Sequence, residues 1–176
     1  MAYEWVAARK ERRKRAALYH SALVVDTGDG RYTIESTPTG ASDGVDRGVV
    51  GEGPVGSRVL GRWRPFRYEL RCWRDGVIPD LDMAVGDPAR VSAEPGVATR
   101  VVELAECVPT PTWGRDELSA GEMWNSNSMV AWLLVRAGIS VAGITPPCGG
   151  RAPGWDAGVR VARRGVERHP ETRTER

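Results

Sequence analysis

Met123-Trp124-Asn125-Ser126-Asn127-Ser128-Met129-Val130-Ala131-Trp132-Leu133-Leu134 places four small polar side chains directly in front of an apolar run. Asn and Ser accept hydrogen bonds from the unpaired N–H groups of a helix's first turn, so this spacing predicts a helix start. Met129, Val130, Leu133, Leu134 and Ala137 then follow at i, i+1, i+4, i+5 and i+8. That is one buried stripe of an amphipathic helix over about residues 128–137, ended by Gly138. The N-terminus of such a helix is electropositive and offers backbone amides to an oxyanion, which suits an attacking oxygen. The amides near Asn127 and Ser128 are the candidates for that role.

Far upstream, Tyr19-His20-Ser21-Ala22-Leu23-Val24-Val25 carries the one histidine outside the C-terminal tail. It stands at the start of a β-rich run over residues 19–26. A turn at Thr27-Gly28-Asp29-Gly30 and a second strand over residues 31–37 complete a hairpin signal. An imidazole at a strand end can reach a neighbouring helix N-terminus. Glu35, late on the paired strand, is a carboxylate that could orient the ring. The plain alternatives are an ordinary helix cap, a strand-edge histidine and a solvent-facing glutamate.

Downstream, residues 47–60 contain glycines, a proline and short valine pairs, consistent with one strand and a turn. From Phe66 the alternation is strict. Phe66, Tyr68, Leu70 and Cys72 share one face, and Arg67, Glu69, Arg71 and Trp73 the other. This predicts a half-buried antiparallel strand whose arginines face solvent or line an acidic partner. A helix is expected over residues 97–107, an ordered loop over 146–155, and a short last strand over 159–162.

The net charge of +2 conceals segregation. Residues 9–15 and 160–176 are strongly basic, which leaves the body acidic by about five charges. A phosphate-tracking body is therefore not expected, and nucleic acid is not a clear partner. Residues 1–17 read as a basic leader helix, residues 18–163 as one α+β domain and residues 164–176 as a disordered tail. Residues 9–15 offer a contact for an anionic surface; the plainer alternative is a solvated helix docked by Tyr3, Trp5 and Leu18. Three cysteines (Cys72, Cys107, Cys148) lack metal-ligand spacing, so neither a metal nor another cofactor is expected. Cys148, beside glycines and Arg151, is a setting for some thiol reactivity. No apolar run approaches the roughly 20 residues of a membrane span, and a cytoplasmic location is the expectation. Seven tryptophans against one phenylalanine favour clefts and half-exposed surfaces. Trp113, Trp124 and Trp155 are candidates to line a groove together with Arg151, whereas Trp132 reads as core.

A strand histidine, a hairpin and, much later, Asn-Ser-Asn-Ser opening an apolar helix resemble the circularly permuted papain-like superfamily, which includes NlpC-type peptidases and lecithin:retinol acyltransferase-like proteins. The resemblance covers roughly residues 18–37 and 120–140. It implies an α+β fold, an antiparallel sheet packed against a main helix. It also implies amide or ester hydrolysis or acyl transfer on a peptide, amide or acyl small-molecule ligand. His20 would be the general base, Ser126 would stand in the nucleophile's place and Glu35 in the third polar position. Asn125, Asn127, Ser128 and the groove tryptophans would line the binding site. The family nucleophile is a cysteine, whose thiolate forms near neutral pH. A serine must instead lose its proton to the base during attack. The departure leaves two expectations, a weak serine hydrolase or a catalytically inactive binding module using the same cleft.

Overall fold

The computed structural model describes residues 17–39, 47–78, 85 and 88–167. The basic segment 9–15 and the tail beyond residue 167 lie outside the described residues. The fold is α+β, with four antiparallel strands and three α-helices among the described residues. The strands are β1 (Leu23–Thr27), β2 (Gly30–Pro38), β3 (Val49–Pro54) and β4 (Arg67–Arg74), in the order β1-β2-β4-β3. The helices are α1 (Pro95–Leu104), α2 (Ser126–Arg136) and α3 (Trp155–Glu167).

β1 and β2 form the expected hairpin, with Thr27 opposite Gly30 and Leu23 opposite Ile34. Leu23, Val25, Ile34, Leu70 and Cys72 turn to one sheet face, against α1 and α2. α3 packs behind α2, so α2 is the middle layer. This explains why Ser126 through Leu134 are all buried and not only the predicted stripe. Small residues let the two helices approach closely. A methyl group on Gly158 would stand 2.1 Å from the Ser128 carbonyl oxygen, and Ala157 and Ala162 are fully enclosed.

Four expectations are corrected. Residues 159–162 are helix, part of α3, because Ala157, Val161 and Ala162 recur at helical spacing with arginines on the outer side. Helix therefore also covers residues 164–167, which were expected to be tail. Phe66 precedes the strand in a 3-10 turn (Arg64–Phe66) and is exposed.

The fourth correction concerns the arginines of β4, which were expected to face solvent or line an acidic partner. β4 is a central strand, and on the sheet face away from α2 Arg71 is buried between two carboxylates. It donates to Glu69 at 2.8 and 3.0 Å and to Glu35 at 3.2 Å. Arg64 approaches the other oxygen of Glu69 at 4.0 Å. A buried guanidinium left without these acceptors would cost several kcal/mol.

Gly158→Ala is expected to destabilise the fold by about 1–3 kcal/mol, since the added methyl group meets backbone and not a movable side chain. A urea unfolding midpoint lowered with unchanged slope would report it.

Candidate functional site

The site is built at the start of α2. Asn125 is the N-cap, and its side-chain oxygen accepts from the backbone N–H groups of Asn127 (2.9 Å) and Ser128 (3.3 Å). Ser128 returns the contact, accepting from the Asn125 N–H at 3.1 Å, a reciprocal capping box. Helix α2 thus begins two residues earlier than the apolar pattern indicates, because Ser126 and Asn127 are its first turn and not its cap.

The same side chains grip the turn before α3. The Asn125 amide donates to the Pro153 carbonyl at 2.8 Å, Asn127 Nδ2 donates to it at 3.0 Å, and the Ser128 hydroxyl donates to the Gly154 carbonyl at 2.7 Å. Glu122 accepts from the Gly154 N–H at 2.9 Å. Gly154 has φ +85°, and any Cβ there would lie within 2.8 Å of Ser128, Met123 and Asn125 atoms. Only glycine fits this left-handed, crowded position.

The histidine segment docks on the other side. Tyr19 N–H donates to the Arg151 carbonyl (2.9 Å) and Arg151 N–H to the Ala17 carbonyl (2.8 Å), a short parallel bridge. His20 precedes β1 by three residues and is not its first residue. Its Nδ1 lies 2.7 Å from Ser126 Oγ. The Ser21 hydroxyl donates to Asn127 Oδ1 at 2.8 Å, and Asn127 Nδ2 donates to the Tyr19 carbonyl at 3.0 Å. Ser126 is 3 % exposed, whereas His20 is open to solvent.

His20 and Ser126 are therefore brought together across 106 residues of chain. Glu35 is not brought to them. It points from the opposite sheet face into the Arg71 triad, because alternation along β2 sends Ile34 to the helices and Glu35 away from them. No hydrogen bond to His20 Nε2 is present among the described residues. The amides of Asn127 and Ser128, expected to hold an oxyanion, are already taken by Asn125. The Ser126 N–H is the amide of this turn that has no acceptor among the described residues.

Trp113 and Trp124 flank the loop that delivers the site. Trp113 N–H donates to Pro54 O and Gly56 N–H to Trp113 O, extending the sheet past β3. Gly114 and Trp124 then pair through their backbones, leading directly to Asn125. Trp124 is buried in the core, and Trp155, half-buried, packs against it, so neither forms an open groove wall. Trp132 is core, as expected. Trp113 packs on Tyr68 with ring centroids 5.2 Å apart. The Tyr68 hydroxyl, its pKa raised by burial, donates to Pro111 O at 2.9 Å. A shallow concavity of about 430 Å³ lies beside this loop and is lined in part by Arg58, Thr112, Arg115 and Glu117. Nothing in the sequence pattern had marked these residues.

Glu117 accepts from the Thr112 N–H and hydroxyl and from both ends of Arg58. The Arg58 guanidinium first, then the Thr112 donors, hold its carboxyl down at about 2. Burial pushes the Cys72 thiol up to about 11, which makes it a poor nucleophile. Among the described residues there is no cluster of His, Cys, Asp or Glu able to hold a metal, and no helix is long and apolar enough to cross a membrane.

Comparison with protein-family models, with curated proteins and with solved structures gives no match.

Glu117 favours the folded state above the ordinary carboxylate pKa of 4.5, and this contribution fades as pH falls from there toward 2. The stability difference between wild type and Glu117→Gln is therefore expected to shrink over that window. Unfolding midpoints measured from pH 6 down to pH 2 check it.

Proposed function

We propose that the chain is an amide or ester hydrolase, or an acyltransferase, with Ser126 as nucleophile and His20 as general base. The 2.7 Å contact between His20 Nδ1 and Ser126 Oγ carries this reading. Two residues so far apart in sequence, one at a helix N-terminus and one beside a strand, meet in the geometry a base and its nucleophile require. The order of the elements, histidine first and nucleophile helix later, and the antiparallel sheet on that helix support kinship with permuted papain-like hydrolases.

The chemistry follows from the hydrogen bond. With its proton on Nε2, neutral His20 accepts the Ser126 hydroxyl proton at Nδ1 while Oγ attacks the carbonyl carbon. The negative charge moves to the carbonyl oxygen, where the Ser126 N–H and the positive end of α2 stabilise it. Collapse breaks the bond to the amine or alcohol, which leaves with the proton from Nδ1. The ester on Ser126 is then cleaved by water, or by another acceptor in acyl transfer, with the same imidazole taking the acceptor's proton and returning it to Oγ. One unengaged amide and, among the described residues, no carboxylate on Nε2 make this a slow catalyst. Substrates are peptides, amides or small acyl compounds.

A second reading has its own support: Ser126 is almost enclosed and both neighbouring amides are satisfied internally. Such a site suits a binding module of the same lineage, with no turnover.

A fluorophosphonate probe is expected to label Ser126, mapped by peptide mass, and Ser126→Ala is expected to abolish the label. His20→Ala is expected to slow labelling by about 100-fold or more. Glu35→Gln is expected to label at the wild-type rate, because Glu35 serves Arg71. Unlabelled wild type whose tryptophan fluorescence still responds to peptide or acyl ligands would establish the binding module instead.

A further inference from the structure

We propose that Asn127 is the positioning residue of this site. It holds His20 in register with Ser126 by gripping the chain on both sides of the imidazole, without touching the ring. The kinetic consequence rests on the hydrolase reading above; the positioning itself does not.

The side chain of Asn127 is 2 % exposed, and its amide is almost fully used. Both N–H groups of Nδ2 are donated, one to the Tyr19 carbonyl and one to the Pro153 carbonyl, each at 3.0 Å. Oδ1 accepts from the Ser21 hydroxyl at 2.8 Å. The orientation of the amide is determined by these partners, since a flipped group would set its oxygen against two carbonyl oxygens. One planar group thus binds the residue before His20, the residue after it and the turn that leads into α3. Ser126, its neighbour in the first turn of α2, meets the residue between them.

Other restraints leave His20 underdetermined. Upstream, backbone pairing with Arg151 ends at Tyr19. Downstream, sheet pairing begins at Leu23. Among the described residues, the hydrogen bonds of Asn127 to the Tyr19 carbonyl and the Ser21 hydroxyl are the ones that hold this gap besides the His20–Ser126 contact itself. No carboxylate among the described residues orients Nε2, so the task of aiming the ring falls to the backbone on either side. Asn127 supplies it from the same helical turn that bears the nucleophile, which makes the distance between base and nucleophile a property of one rigid element.

Ser21→Ala removes a single hydrogen bond at a half-buried position and tests the idea with little risk to folding. Asn127→Asp keeps the acceptor for Ser21 but loses both donated bonds. Fluorophosphonate labelling of Ser126 is expected to slow by about 10-fold in Ser21→Ala and about 100-fold in Asn127→Asp, the scale set by a misplacement near 1 Å. In a His20→Ala background neither substitution is expected to slow the residual labelling further, because Asn127 acts through His20. The ring NMR resonances of His20 are expected to move in Ser21→Ala while the thermal unfolding midpoint stays near that of wild type. Wild-type labelling and unmoved ring resonances in folded Ser21→Ala would overturn the proposal, as would an equal slowing in the His20→Ala background. Unlabelled wild type would overturn the hydrolase reading alone, and the His20 ring resonances would then still decide the positioning role.

Discussion

A helix that starts inside a protein must find partners for its first N–H groups, and this requirement shapes the whole molecule. α2 is the middle layer between the sheet and α3, so its N-terminus is largely buried. Asn125 satisfies two amides of the first turn. The remaining donors and acceptors of Asn125, Asn127 and Ser128 reach outward to Pro153, Gly154, Tyr19 and Ser21. A capping problem is thereby turned into a junction of three chain segments. Gly154 and Gly158 are the counterparts of this junction, since any side chain there would separate α3 from the turn that it seals.

The same requirement limits the chemistry. An oxyanion needs donors that are unengaged when the charge develops, and the structural network consumes two of the three nearest amides. The Ser126 hydroxyl is held by an imidazole that, among the described residues, carries no orienting carboxylate. The geometry suits a dyad in which a serine faces the positive end of a helix dipole. Tuning by the dipole helps a thiol far more than a hydroxyl, because only the thiol ionises near neutral pH. Structural demand and the catalytic demand of the proposed reaction thus compete for one set of backbone groups, and the structural demand takes most of them.

A second buried polar cluster lies on the far sheet face. Arg71 sits between Glu35 and Glu69 on adjacent central strands, where little solvent is at hand to replace either partner. The β4 alternation in Arg67-Tyr68-Glu69-Leu70-Arg71-Cys72 correctly separates the two faces. It does not show that both faces are covered, and a charged face then looks solvent-exposed. Glu35 went to Arg71 for the same reason: its strand and face were legible, its partner was not.

Local chemistry alone was enough for the β1–β2 hairpin, the body of α1 and the apolar run of α2 with its stop at Gly138; the meeting of His20 with Ser126, in the first turn of α2, was an implication of the family resemblance and not of local pattern. Turn residues, caps and periodicity act over a few positions, and those signals lie within the chain segments themselves. Residues 155–167 were harder, because Gly158 and Gly165 lower helix propensity and only packing against α2 gives those glycines a purpose. The true start of α2, the engagement of its amides, the destination of Glu35 and the hold of Asn127 on the histidine segment were all decided by tertiary structure. Each depends on which distant backbone group arrives at a buried polar atom, and a hydrogen bond between residues 26 or 106 positions apart leaves no periodic trace in sequence.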